Sequence, residues 1–209
     1  MLFHDCATAP SPRCVRIFLA EKGVTVPVQQ VDLMGGKHMG PAFRALNPWC
    51  TVPVLELDDG TCVSEIDACC QYLEAAYPEP PLMGRTAAEK GVIAMWAHRV
   101  AVDGIGAVAE ALRNGAKGFK DRALTGIHAH AQIPELVDRG RTRSAHFLDW
   151  LDARLAESPF VAGDAFAYPD ILALVAVDFA RWIRITPGDT HPALNRWHAA
   201  VSARPSAQA

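Results

Sequence analysis

Between residues 52 and 73, VPVLELDDGTCVSEIDACCQYL, the hydrophobic and polar positions change period within a few residues. Val54, Leu55 and Leu57 follow Pro53 as a short apolar run suited to a buried strand. Asp59-Gly60 then supplies the chemistry of a two-residue type I′ hairpin, which needs positive φ at both central positions. Cys62 and Val63 begin the return strand. Ser64 stands three residues before Asp67, an approximate capping box. Ile66, Cys69, Cys70 and Leu73 share one helical face. The stretch therefore reads as strand, tight turn, strand and helix.

The residues before it extend this pattern. Residues 1–5 are an apolar start that predicts a strand, and the loop CATAPS follows. Ser11 and Pro12 suit the N-cap and first position of a helix over 11–22, and Gly23 suits its C′ position. A second strand is predicted over 26–31 and a short helix over 41–46. The order is strand, helix, strand, short helix, hairpin, helix. The segment YPEPPLM, with three prolines, then predicts a semi-rigid extended linker.

Beyond the linker no strand-like alternation remains. Thr86 and Glu89 form a capping-box signature ahead of a long helix over 87–112. A Gly-containing basic loop, RNGAKGFKDR, separates it from a second long helix over 122–157, bent at Pro134. Pro169 opens a buried apolar helix and Pro192 a last one, so the second half is all-helical.

Composition narrows the possible functions. The 209 residues suit one large or two small domains, and 50 % of them are hydrophobic. A net charge of −3 gives no general attraction to nucleic acid or anionic lipid, so neither is expected as a partner. MLFHDCATAP lacks the features of a signal peptide. No unbroken apolar stretch reaches about 18 residues, so no membrane span is expected. The 6 cysteines lie within the first 70 residues without a C-x-x-C pair, and read as reduced thiols of a cytoplasmic protein. His128 and His130 are two apart, on different helix faces, so no metal is expected. Gly104-Ile-Gly106 follows a helix rather than a strand and is no dinucleotide fingerprint.

VPVLELDDGT with SEIDACCQYLE resembles the glutathione-binding segment of cytosolic glutathione transferases. VRIFLAEKG, NPWCTVPVL and FVAGDAFAYPDI match further family landmarks, and EKGVIAMWAHR with ALTGIHAHAQIPELVDRG resembles a fungal and proteobacterial subgroup with an atypical active site. The resemblance implies an α/β plus all-α architecture. A thioredoxin-like domain over 1–78, a linker over 79–86 and a helical domain over 87–209 are expected. It also implies a cytoplasmic homodimer that takes glutathione as co-substrate and conjugates it to a small hydrophobic electrophile.

Glu65 sits in the predicted first turn of its helix. There it complements the helix dipole, or holds a cation while the neighbouring N–H groups hold an anion. Val52-Pro53 opens a strand, where a cis peptide would turn backbone groups toward solvent; with cis at about 5–6 % of X-Pro bonds, the sequence alone does not license it. By resemblance, Glu65 takes the γ-glutamyl ammonium, the Ile66 N–H its carboxylate, and the Val52 backbone pairs with the cysteinyl part as an added strand. His38 approaches the glycine carboxylate, with Lys37 beside it, unless His38 is a solvated loop residue.

Two departures from the family matter. Ile66 replaces its usual serine, which removes a hydroxyl donor at about 1 kcal/mol. Ala9 falls where the common classes carry serine or cysteine, so no side chain there can donate to a thiolate. Lowering a thiol pKa by two units takes roughly 2.7 kcal/mol. The helix end, the Ser11 hydroxyl and the Arg13 charge are the available sources, unless Ser11 only caps. Cys14 reads as a packed thiol, whereas Cys6 near the site would suit glutathione-dependent reduction. Trp96, Arg99, Val100 and Asp103, at helical spacing, form a wall for the second substrate or a dimer contact, with Asp103 reaching glutathione across the dimer. Trp96 also suits a simple core role. The competing readings are a non-catalytic binding or regulatory member, which Ala9 favours, and a glutathione-dependent peroxidase or reductase.

Overall fold

The computed structural model describes residues 1–209, which form two compact units, one of residues 1–80 with 124–129 and Ala209, the other of 81–123 with 130–208. The first is built on a four-stranded sheet. Strands β1 (Leu2–Asp5), β2 (Val28–Gln30), β3 (Val54–Glu56) and β4 (Cys62–Ser64) lie in the order β2-β1-β3-β4. β1 pairs parallel with β2 and antiparallel with β3, and β3 pairs antiparallel with β4. Helices α1 (Pro10–Glu21), α2 (Pro41–Leu46) and α3 (Ile66–Ala76) complete the unit, and α1 packs on α3.

The sheet is covered on both faces. Val54 clusters with Phe43 of α2 and with Val31, and its cross-strand partner His4 meets the Phe43 ring at 6.2 Å. Successive side chains alternate across a sheet, so the partners Phe3 and Leu55, both 0 % exposed, face the other way. This is why β3 is apolar at consecutive positions.

The α2 bounds agree with the expected 41–46. The Gly23 C′ also holds: its φ is +65°, its N–H donates to Ala20 O at 3.0 Å, and Val24 N–H reaches Leu19 O at 2.9 Å. Three local expectations change. The N-cap of α1 is Ala9, with extended φ −91° and ψ 138°, so Ser11 is the second helical residue. Pro10 takes the first position, for which its fixed φ and missing N–H suit it, and holds Ala9 extended. The hairpin turn has three residues rather than two: only Gly60 has positive φ, +84°, while Leu57 N–H donates to Thr61 O and Gly60 N–H to Leu57 O. Ser64 stays in β4 instead of capping, and Glu65 precedes α3 as its N-cap residue rather than lying in its first turn.

In the second unit, Thr86 and Glu89 form the expected capping box at the start of α4 (Ala87–Arg99). The helix passes through a π-helical stretch, Val100–Gly106, into α5 (Ala107–Gly115). A Cβ on Gly104 would stand 2.9 Å from both Ala176 Cβ and Phe147 Cζ, so the π turn lies where neighbouring residues press close. By length and composition alone, residues 87–115 are long and apolar enough to cross a bilayer; Arg99 and Asp103 interrupt the apolar run. The predicted helix over 122–157 begins only at Glu135, as α6 (Glu135–Glu157). Before it, Asp121 and Gly126 take positive φ, Arg122 bridges His130, and Pro134 sets the helix start. Helices α7 (Tyr168–Ala180) and α8 (Pro192–Ser202) follow; twelve residues of α7 are buried.

Asp170 in the first turn of α7 is 0 % exposed. Its carboxylate accepts from Val161 N–H at 3.0 Å, Ala167 N–H at 3.1 Å and the Trp197 indole N–H at 2.9 Å. Ala167 has no side-chain acceptor, so α7 keeps only the Asp170 half of a capping box. Burial pushes the carboxyl up to about 6 against the pull of those donors.

Candidate functional site

The loop from β1 to α1 is held by side chains from two elements. Asp5 ends β1 at 2 % exposure. Its Oδ1 accepts from Arg16 Nη1 at 2.6 Å, and its Oδ2 from Gln30 Nε2 at 2.7 Å. Arg16 Nη2 also donates to Ala7 O at 3.1 Å, and Ala7 N–H donates to Gln30 Oε1 at 2.9 Å. Ala9 N–H closes on Cys6 O at 2.9 Å.

This accounting leaves little at the helix end. A helix normally presents several N–H groups without intrahelical partners in its first turn. Here Ala9 N–H is engaged, and Pro10 and Pro12 have none. Ser11 is the only one of the first three helical residues with a backbone N–H, and its hydroxyl is a second donor. Ser11 and Arg13 are both half-buried. Cys14 is 0 % exposed and its thiol is pushed up to about 12 by burial, so it stays protonated and inert. Cys6, half-buried, places Sγ 3.5 Å from Thr8 Oγ1.

The second cluster surrounds β3. The Val52-Pro53 bond is cis, the form that the sequence alone did not license. Glu65 is exposed, with φ +77° and ψ 143°. That conformation is sparsely populated for a residue with a Cβ, and such strain concentrates at functional positions. Glu65 Oε1 accepts from Thr51 Oγ1 at 3.5 Å. Asn47, 1 % exposed, donates through Nδ2 to Thr51 O at 2.8 Å and to Thr51 Oγ1 at 3.0 Å, and accepts Trp49 N–H at 3.0 Å. The residues leading into Val52-Pro53 are thus tied to Glu65 through Thr51. Ile66 opens α3 directly after Glu65. Of the loop pair, Lys37 is exposed, whereas His38 is buried at 3 % rather than solvated.

On the helical unit, Trp96, Arg99, Val100 and Asp103 lie on α4 and the π-helical stretch that follows it. Arg99 is exposed and Val100, where the π turn starts, is 0 % exposed. Trp96 stacks on Trp150 at 5.8 Å, with the Arg154 guanidinium 5.0 Å from its ring. Asp103 Oδ1 lies 3.3 Å from Arg143 Nη2, which also donates to Val102 O at 2.9 Å. No three His, Cys, Asp or Glu side chains gather as metal ligands.

The sequence reading missed Asn47, Thr51, Arg16 and Gln30. The Asn47-Pro48 dipeptide signals a turn. The roles of the other three depend on residues brought together by the sheet.

Residues 9–76 match the model of the glutathione S-transferase N-terminal domain, and residues 119–205 that of the C-terminal domain. The chain is 34 % identical to glutathione S-transferase 2 of Saccharomyces cerevisiae over 99 % of its length and 87 % of that protein's. A crystal structure of a glutathione S-transferase domain-containing protein from Marinobacter aquaeolei superposes with a TM-score of 0.91 at 38 % identity, covering 99 % of both chains. The Gtt2-class glutathione S-transferase of Vibrio parahaemolyticus gives 0.85 at 30 % identity, covering 100 % of this chain and 96 % of that one.

Proposed function

We propose, since the chain belongs to the glutathione S-transferase family, that it transfers the glutathione sulfur to small hydrophobic electrophiles, a detoxifying conjugation. The observation that carries this reading is Glu65: a solvent-open carboxylate on strained backbone, beside the first N–H groups of α3. Glu65 takes the γ-glutamyl ammonium while the Ile66 N–H and the α3 dipole take its carboxylate. The Val52 backbone ahead of Pro53 receives the cysteinyl part, and Lys37 with His38 attracts the glycine carboxylate.

The thiolate then lies at the α1 end, facing Ser11 N–H, Ser11 Oγ and the Arg13 charge. A hydrogen bond to a charged group contributes about 1.5–3 kcal/mol, so two such donors suffice for a pKa shift of roughly two units. The thiolate sulfur attacks the electrophilic carbon, a carbon–sulfur bond forms, and the leaving group departs with the electron pair.

A homodimer accords with α4 and the π turn, where Val92, Met95 and Val102 are 42 %, 46 % and 43 % exposed. Only 28 % of the most apolar window of residues 87–115 is buried within the chain. Trp96, Arg99 and Asp103 on this helix are candidates for electrophile or partner contacts. A cytoplasmic location accords with 6 cysteines and no disulfide.

A second reading, a glutathione-binding member without catalysis, draws support from Ala9 and from the two prolines that strip the helix end of donors. Calorimetry of glutathione binding by wild type and Glu65→Ala, with thiolate absorbance followed against pH, separates the two. Binding that weakens at least tenfold in the variant, about 1.4 kcal/mol, with a lowered thiol pKa supports conjugation. Binding with an unshifted thiol supports the second reading. Binding equally tight in both proteins refutes the assignment of Glu65.

A further inference from the structure

We propose that Arg16 is a positioning residue for thiol activation, fixing the loop that aims the donors of Ser11; this rests on the conjugation reading above. Arg16 reaches from α1 to the loop ahead of it. Its guanidinium spans Asp5 Oδ1 at 2.6 Å, Ala7 O at 3.1 Å and Cys6 O at 3.5 Å. Gln30 completes the clamp from β2, holding Asp5 Oδ2 at 2.7 Å and the Ala7 N–H at 2.9 Å. Both backbone polar groups of Ala7 are therefore held by side chains, one from a helix and one from a strand.

The hold passes directly to the donors. Ala9 N–H is closed on Cys6 O at 2.9 Å, and Pro10 locks the next φ. Ser11 follows at once, so the direction of its N–H and the origin of its Oγ are set by the path of residues 5–9. Direction matters here more than at an ordinary helix end. With several N–H groups converging, one misaligned donor is compensated by its neighbours. With Pro10 and Pro12 flanking a single N–H, no neighbour compensates, and a hydrogen bond weakens steeply once bent below about 120°.

Arg16 acts by position rather than by charge. Its guanidinium is paired with the buried Asp5 carboxylate at 2.6 Å, so it is not a free charge at the loop. The planar fork is what reaches Asp5 and Ala7 together, and a lysine point charge does not reproduce it.

The test uses the full chain with glutathione and an activated chloronitrobenzene, comparing wild type with Arg16→Gln, Arg16→Lys and Gln30→Leu. In both Arg16 variants the bound-thiol pKa is expected to rise by about one unit, and turnover at mildly acidic pH to fall about tenfold. The KM for the electrophile should stay constant and the glutathione Kd should move less than about threefold, well under one pKa unit's equivalent. Gln30→Leu should give a smaller rise of the same sign without altering any charge. Recovery of the wild-type pKa in Arg16→Lys overturns the positional role in favour of charge. An unchanged pKa in folded Arg16→Gln overturns the proposal while leaving the conjugation reading intact. If the Arg16 variants do not fold, the exposed clamp residue Gln30 decides: an unchanged pKa in Gln30→Leu refutes the proposal. An unshifted thiol in wild type refutes both the clamp's role and the conjugation reading.

Discussion

Replacing Asp170 by asparagine tests the energetics of the helical unit most directly. The carboxylate sits at 0 % exposure with three N–H donors around it, from Val161, Ala167 and Trp197. Burial raises its pKa from 3.8 in the unfolded chain to about 6. Between those values the native state holds a proton that the unfolded state has lost. Stability from this group is therefore full below the unfolded pKa and is lost as pH rises through the folded one. The loss over the interval is on the order of 3 kcal/mol. Asparagine keeps one acceptor, sets an NH₂ group against a second donor and does not titrate. The stability advantage of wild type over Asp170→Asn should therefore shrink as pH rises from about 4 to about 6.5 and then level off. Urea unfolding followed by tryptophan fluorescence at fixed protein concentration measures both proteins. A wild-type advantage that grows with pH would mean that the three donors outweigh burial, and would refute the argument. Asp170→Ala, which leaves the donors without a buried acceptor, should cost most below about pH 4, and about 3 kcal/mol of that cost should disappear by about pH 6.5.

Ser11→Ala should raise the bound-thiol pKa by roughly one unit, the equivalent of one hydrogen bond, and shift the acid limb of the turnover profile upward by the same amount. An unmoved limb would leave the backbone N–H as the only donor in use. Gly140→Ala places a Cβ 2.7 Å from Ala111 N and 2.8 Å from Ala107 O, so α6 must move off α5. A loss of about 2–3 kcal/mol by chemical denaturation is expected, with little change in glutathione affinity. Met95→Asp puts a charge on the exposed apolar stripe of α4; if that stripe forms the proposed dimer, analytical ultracentrifugation should find dimer for wild type and monomer for the variant.

Features whose determinants lie within a few residues were legible in the sequence. Pro41 to Leu46, the Thr86 and Glu89 cap and the Gly23 helix stop all belong to this kind. The start of α1 was harder because Pro10 and Pro12 both suit a first helical position, and placing Ser11 at the cap requires choosing the wrong one. The π turn was not legible, since what presses on Gly104 comes from Phe147 and Ala176, far along the chain. The candidate site divides similarly. Glu65 and Val52-Pro53 stand out as a family motif, whereas Glu65's positive φ and its Thr51 partner arise only when β3 and β4 pair. The Arg16 and Gln30 clamp depends on the parallel pairing of β1 with β2, which no local pattern encodes.

The burial of the cysteines bears on how such a protein would survive its own substrates. An electrophile reactive enough to meet glutathione will also alkylate any thiolate on the surface. Cys14 and Cys69 are both 0 % exposed, and burial pushes each thiol up to about 12. At neutral pH both therefore stay protonated. Burial and the neighbouring Glu56 carboxylate also raise Cys62. The protein thus suppresses ionisation of these three thiols, while its helix end would promote that of the bound tripeptide, so chemical selectivity between sulfur atoms rests on solvation rather than on sequence position.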